Sequence, residues 1–288
     1  MAGRSSRGKS SRKYRKRKKK IKKPQLSART ADRYDLYERS VQWADFELEF
    51  ARRVYRKHNG RRPRHLREDF CGTALVAAAW AGQGKSYTAE AYDIDPEPLE
   101  WGRRRHLPDG RARSERCRLL EKDVREPSLA PPDVRLAQNF SYRVFKERPA
   151  LLDYFRNVRE DLAEGGVFVL DTHGGPEAIT EMEEEREVEP GFTYVWDQAK
   201  YWPGTGDYTC HIHFRFPDGT RMKKAFTYKW RFWHLTEVLD LLREAGFTKV
   251  ESYWEGTDED GESGNGVYRK SKKGENCLSW ITYVVAVK

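Results

Sequence analysis

The sequence predicts an α/β protein: an open, doubly wound sheet with helices on both faces and an antiparallel β insertion after the fifth strand. Three observations carry this. Segments of strand and helix period alternate from His65 to Asp171, which specifies a parallel sheet covered on both sides. A tight turn, Cys71-Gly72-Thr73, feeds an Ala-rich helix, and two later strands end on acids, Asp93 and Asp123. A long stretch, roughly residues 176 to 230, then interrupts the alternation with strand-like segments before a helix and two more strands close the chain.

The elements follow in order. From Asp32 to His58, Tyr34, Tyr37, Val41, Phe46, Phe50 and Val54 recur at mostly three- and four-residue intervals, so one helix is expected, ended by Asn59-Gly60. His65-Leu66-Arg67 is a short strand and Ala74 to Ala81 a helix. Tyr87 to Tyr92 is a strand ending at Asp93, and Pro96 opens a helix as a first-turn proline. Arg118 to Lys122 leads to Asp123, and Val134 to Gln138 leads to Asn139. Pro149 to Leu162 is a periodic helix closed by Gly165-Gly166, and Val167 to Leu170 runs into Asp171-Thr172-His173. The insertion opens on an acidic run, Glu181 to Glu189. It continues with alternating segments at Thr193–Trp196, Cys210–Phe216 and Ala225–Trp230, and Pro217-Asp218-Gly219-Thr220 is a hairpin turn. These should form a flap over the carboxyl ends of the parallel strands, where sites of α/β proteins lie. Thr236 to Ala245 is a helix capped by Gly246, Thr248 to Tyr253 and Trp280 to Val287 are strands, and Asn265 to Tyr268 falls in a Gly- and Asp-rich loop.

The formal charge of +10 over 288 residues is an uneven average. Residues 1–31 hold fourteen Lys and Arg and no acid, whereas the remainder has 41 basic and 45 acidic residues. Such a tail cannot offset its ordering entropy and is expected to be disordered, leaving residues 32–288 as the folded domain. Residues 4–23 suit non-specific binding of nucleic-acid phosphates or nuclear import; an equally open reading is a solubilising extension without a partner. Four scattered cysteines form no metal-ligand or disulfide pattern and suit a reducing compartment. No run is long and apolar enough for a membrane span, and the basic start leads into no apolar stretch, so a cytoplasmic protein is expected.

A glycine turn at a helix N-terminus lets backbone N–H groups approach a charged ligand. An acid at the tip of the next strand can take ribose hydroxyls, and one at the third can take an adenine amine. Glu68 to Ala74 resembles the first loop of class I S-adenosylmethionine-dependent methyltransferases, acid-x-Gly-x-Gly-x-Gly, with Glu68 in the acidic place and Gly72 as the central glycine. Phe70 and Ala74 stand where the outer glycines usually are. The resemblance extends from Tyr34 to Lys288. It implies a Rossmann-like sheet with an antiparallel last strand and binding of S-adenosylmethionine, with S-adenosylhomocysteine as product and no metal. By position it places Glu68 and Gly72 at the methionine moiety, with Cys71 and Thr73 as adjacent backbone. It places Asp93 with Ile94 at the ribose, Asp123 with Val124 at adenine, and a lid over residues 32–60 that contributes Tyr37 and Gln42.

The residues that could act on an acceptor follow the fourth and fifth strands. Asn139-Phe140-Ser141-Tyr142 is similar to the Asn/Asp-Pro-Pro-Tyr of some amino-methyltransferases, in which the amide accepts an amine hydrogen and the ring packs on the acceptor. Asn139 and Tyr142 hold the outer places, and Phe140 and Ser141 replace both prolines; a plain cleft-lining role for Asn139 stays open. His173 can deprotonate an amine near neutral pH, or simply bond backbone from a loop. His211 and His213 share a strand face without an evident third metal ligand. Trp196, Tyr201, Trp202, Trp230, Trp233 and Trp254 divide between core and cleft. The resemblance implies methyl transfer to a heteroatom, with nitrogen favoured, of a small-molecule acceptor. Two alternatives remain: a methyltransferase of RNA, ribosomal or chromatin protein tethered by the tail, and a non-catalytic scaffold. A nicotinamide-dependent enzyme is more distant, since the tighter Gly-x-Gly-x-x-Gly is absent.

Overall fold

In the computed structural model, residues 26–189, 191–257 and 264–288 are described. Most of the basic tail therefore lies outside the described residues. Residues 26–31, expected to belong to it, instead pack against the flap: Leu26, Ala28 and Ala31 join its apolar cluster, and the Ala28 N–H donates to Thr220 Oγ1.

The expected single N-terminal helix is two, α1 (Arg33–Val41) and α2 (Ala44–Asn59). Gln42 and Trp43 leave helical backbone between them. The two apolar stripes serve different cores. Leu36 and Tyr37 of α1 pack under the flap, whereas Leu48, Phe50, Ala51, Val54 and Tyr55 of α2 pack on the main sheet. The break lets each stripe face its own partner.

The main sheet takes β1 (His65–Asp69), β2 (Thr88–Asp93), β3 (Cys117–Glu121), β4 (Val134–Ala137), β5 (Val167–Gly174), β10 (Lys249–Thr257), β11 (Gly264–Lys270) and β12 (Trp280–Val287). Its order is β11-β10-β12-β5-β4-β1-β2-β3. The strands β3-β2-β1-β4-β5 are parallel, and β12 runs antiparallel between β5 and β10, as expected for the last strand. Helices α2, α3 (Leu75–Ala81) and α4 (Pro96–His106) share one apolar core, and α5 (Arg148–Asp161) with α6 (Leu235–Glu244) another, so both faces are covered. The segment Asn265–Tyr268 lies in a strand, not a loop. It pairs antiparallel with β10 at the sheet margin, where one exposed face permits a polar, glycine-containing sequence that reads as loop.

Residues inserted after β5 form a separate antiparallel sheet, β6 (Met182–Val188), β7 (Phe192–Trp202), β8 (Asp207–Arg215) and β9 (Arg221–Arg231), in that order. The acidic run is therefore an edge strand, its glutamates exposed. Charge on a free edge discourages pairing with another chain. The 217–220 hairpin turn forms as expected, with Thr220 N–H and hydroxyl both donating to Asp218. Among the described residues, no helix is long and apolar enough to cross a membrane.

Candidate functional site

The loop after β1 coils through three left-handed residues, Phe70 (φ 54°), Gly72 (φ 52°) and Ala74 (φ 57°), before α3 begins. The two positions that lack the expected glycines thus keep a glycine-like backbone, at about 1–2 kcal/mol each. Hydrogen bonds offset that strain: Cys71 N–H to the Tyr92 carbonyl, Gly72 N–H to Asp93 Oδ2 at 2.8 Å, and Ala74 N–H to the Cys71 carbonyl. Gly102 of α4 permits the closest approach, since a Cβ there would collide with the Thr73 carbonyl. Beneath the loop, Asp69 receives Arg67 Nε, Arg135 Nε and the Tyr154 hydroxyl, all at 2.7 Å and all buried.

Of the stretch expected as a lid, residues 32–60, helix α1 packs over this loop. Glu38 of α1 accepts from Thr73 Oγ1 and pairs with His106 Nε2 at 2.6 Å, while Trp101 Nε1 of α4 donates to Asp32. Beneath the lid is a cavity of about 500 Å³. Tyr37, Gln42, Glu68, Cys71, Gly72, Thr73, Asp93 and Asn139 all line it, so eight of the expected cofactor residues come together. Ile94, Asp123 and Val124 do not. The Ile94 side chain is exposed and Asp123 is held by Arg125 through both oxygens. Buried Val124 offers its carbonyl to Arg67 and Arg135, below the loop. A motif places the strand tip but not the rotamer, and a neighbouring arginine has captured Asp123.

The cavity is rich in acceptors. Glu47, which the sequence did not single out, is 7 % exposed, and burial together with nearby Asp171 pushes its carboxyl up to about 8. Glu68 accepts the Ala77 N–H at 2.8 Å, yet burial holds its carboxyl well above the ordinary range. Asp93 is raised as well, chiefly by burial against the backbone N–H bonds it accepts. Gln42 Oε1, Glu47 Oε2 and Gln138 Oε1 are buried acceptors with no protein donor among the described residues. A ligand carrying an ammonium, hydroxyls and an amine fits such a wall, and an aminoacyl nucleoside has all three. No spacing in the sequence marked Glu47: Tyr37 lies in α1, Gln42 in the break and Glu47 in α2, on no common helix face.

A second cavity of about 190 Å³ adjoins the first and shares Tyr37, Asn139, Tyr228 and Trp230 with it. Its remaining wall is largely flap: Tyr194, Trp196, Gln198 and Ile212, with Glu184 as the sole acid, and Phe140, His173, Ser279 and Ile281 from the sheet side. Asn139 and Phe140 are both left-handed (φ 57° and 58°), and their N–H groups donate to Asp171 at 3.0 and 2.9 Å. That bidentate clamp turns the chain sharply after β4 and sets Asn139 at the junction.

Two expected chemical roles do not survive the geometry. Tyr142 is fully buried in the core beside Phe155 and lines neither cavity, because the turn at Asn139 and Phe140 starts a 3₁₀ turn, Ser141–Val144, that carries its ring inward. His173 lies within β5, paired with Ile281, and not in a loop. Burial and then the adjacent Arg143 guanidinium, 3.1 Å from its ring, hold it well below its usual pKa. It is a neutral wall residue against Phe140, and a weak base. Of the aromatics, Trp196 and Trp230 reach the cavities, Trp233 is core, Trp202 is exposed, and Trp254 packs at a tilt against Trp280.

The flap also brings Glu183 and Asp197 beside His213. The Lys224 N–H donates to His213 Nδ1 at 2.7 Å, so the proton sits on Nε2, which faces Asp197 at 3.1 Å and is not free to ligate. His211 bonds Thr227.

Comparison of the sequence with protein-family models and with curated proteins gives no match. Solved structures do. A methyltransferase from Clostridium acetobutylicum described as S-adenosylmethionine-dependent aligns with a TM-score of 0.61 at 16% identity, over 88% of this chain and 96% of its own. An S-adenosylmethionine-bound amino pentose methyltransferase of calicheamicin biosynthesis from Micromonospora echinaspora gives 0.63 at 18%, over 89% and 97%. The fold is that of the class I S-adenosylmethionine-dependent methyltransferases. A sugar N-methyltransferase from Streptoalloteichus gives 0.57 at 18% and covers 99% of both chains. In this fold the loop after the first strand, here Phe70–Ala74, and the lid enclose the larger cavity.

Proposed function

We propose that the chain transfers a methyl group from S-adenosylmethionine to an amine nitrogen of a small acceptor. The observation that carries this is the meeting of two unlike cavities at Asn139: one walled by unpartnered acceptors, the other by aromatic rings. The amino pentose and sugar N-methyltransferases that share the fold support the acceptor class.

S-adenosylmethionine would supply an activated methyl on a sulfonium, so the protein's task is to position a nucleophile and exclude water. In this reading Asp93 would hold the ribose, and Gln42, Glu47, Glu68 and Gln138 would offer oxygens to donor groups. Tyr37, Tyr228 and Trp230 close the junction. The Asn139 side chain orients the acceptor amine, and the aromatic wall strips its water. With His173 neutral and a weak base, the acceptor must arrive as the free amine, whose lone pair takes the methyl while the sulfonium leaves as the neutral thioether; the resulting methylammonium gives its proton to solvent after release. The test is transfer of a labelled methyl group from S-adenosylmethionine across a panel of amino sugars, amino acids, RNA and protein fractions. Label in a small amine, with calorimetric binding of S-adenosylhomocysteine, is expected; label only in RNA or protein would overturn the acceptor class.

A further inference from the structure

At the edge of the sheet opposite both cavities lies a groove of about 770 Å³. Arg52, Arg53, Arg56 and Lys57 of α2 line it, with Arg62 just beyond the helix and Tyr87 just before β2; Glu49 is the sole acid of its lining. Arg62 precedes β1 and Tyr87 precedes β2, and these strands are parallel. The groove therefore faces their amino ends, whereas Gly72 and Asp93 at the carboxyl ends line the cofactor-sized cavity.

The charge here is concentrated. From Arg52 to Arg64 the sequence holds six arginines, one lysine and no acid, inside a domain that is slightly acidic as a whole. Arg52 donates to Gln83 and Arg53 to the Tyr268 carbonyl; among the described residues neither they nor Arg56 and Arg62 pair with a carboxylate. Lys57 has Glu251 at 3.7 Å. The helix dipole accounts for cations in the last turn of α2, such as Arg56 and Lys57, but not for Arg52 and Arg53 in its middle or Arg62 past its end. Cations spread over two turns and the following loop match a chain of phosphates better than a single anion. The large exposed apolar side chains all lie elsewhere, so the groove has nothing to insert into a lipid surface. The basic tail has the same sign and cannot fill it.

We propose that this groove docks the phosphate backbone of RNA. Bound at the sheet edge away from the cavities, the RNA is a tether and not the methyl acceptor. The attraction is mainly counterion release, so it weakens steeply with salt.

The test is fluorescence anisotropy of a labelled oligouridylate with the full chain across a salt series, comparing wild type with R56A/R62A. The double variant is expected to bind about tenfold more weakly at low salt. Its slope of log affinity against log salt should be shallower by about 1.4, or about 0.7 for each lost contact to a single strand. Its affinity for S-adenosylhomocysteine should be unchanged, which separates the groove from the cleft; failure of both chains to bind that ligand would instead break the methyltransferase reading alone. Should only the variant lose it, R56Q/R62Q is read in its place. Unchanged RNA affinity and slope would assign all binding to the tail and overturn the proposal. So would no binding by wild type, or loss of binding to phosphatidylserine vesicles with RNA binding retained.

Discussion

The larger cavity is walled by the carboxyl edge of the parallel sheet and by acids, among them Glu47, Glu68 and Asp93, whose carboxyls burial raises, whereas the smaller is walled by rings from the flap and a neutral histidine. The first rests on interactions deep in the main core, the second on a sheet that touches that core at its rim. If the proposed function holds, the contrast means that the cofactor meets the main sheet while the acceptor meets an added layer. Each wall should therefore fail in its own way when altered.

The largest effect is expected below both. Asp69 takes three buried donors, two of them guanidinium groups. Asp69→Ala leaves Arg67 and Arg135 without their shared carboxylate, which should cost about 3–5 kcal/mol in folding stability by denaturant titration. A loss under about 1 kcal/mol would mean that Asp161 and the Val124 carbonyl suffice to hold both arginines.

The next effect belongs to the larger wall alone. If Glu47 Oε2 receives the ammonium of the cofactor, Glu47→Gln should weaken S-adenosylhomocysteine about tenfold or more. The pH dependence follows from sign. Both Glu47 (about 8) and Asp171 (about 6) are raised above their unfolded values, so the folded protein binds more protons. Their contribution to stability is present at low pH and lost as pH rises through about 6 and then about 8. Because buried His173 gains stability as pH rises past the unfolded histidine value, the Glu47 part is read by difference: the parent's melting temperature relative to Glu47→Gln should be lower at pH 8 than at pH 6. Binding at pH 7 should release a proton, read from calorimetry in buffers of different ionisation heat. In the glutamine variant that release should vanish.

Much of the first wall was legible in the sequence because it is local. Gly72, Asp93 and the Ala-rich helix lie within a short span, and the strand periods fix which ends meet. Glu47 was invisible because its significance comes from burial beneath a lid that breaks at Gln42-Trp43, a kink that the continuing apolar period conceals. Asp123 failed for the converse reason: the strand tip was right, but Arg125, two residues on, holds its carboxylate. The flap was readable as strands, yet which rings face inward depends on register between β8 and β9, where a bulge shifts the pairing. Tyr142 shows the same limit, since two successive left-handed residues redirect everything after them.

A smaller, acceptor-only effect is expected at Trp196, which lines the second cavity alone and packs against Tyr228 and Trp230. Trp196→Ala should raise the acceptor's KM about tenfold by removing an aromatic face, with kcat and cofactor affinity little changed. A matching loss of S-adenosylhomocysteine binding would show that the walls are one unit.

Asn139 belongs to both cavities, and its backbone and side chain make separable demands. The backbone sits at φ 57° and donates to Asp171, which any residue tolerant of the left-handed region can do. Glycine adopts that conformation without strain, so Asn139→Gly should keep stability within about 1 kcal/mol of the parent. It should also leave S-adenosylhomocysteine affinity within about threefold, because the turn and its clamp persist. What it removes is the amide at the junction. If that amide aligns the acceptor amine only as the methyl moves, kcat should fall about tenfold with less change in KM. Alanine at the same position confounds the two demands, since its Cβ is strained there, and the glycine variant is the cleaner probe. Should kcat stay at the parental value in Asn139→Gly, the asparagine is explained by its backbone angle alone, and the aromatic wall is left to align the acceptor.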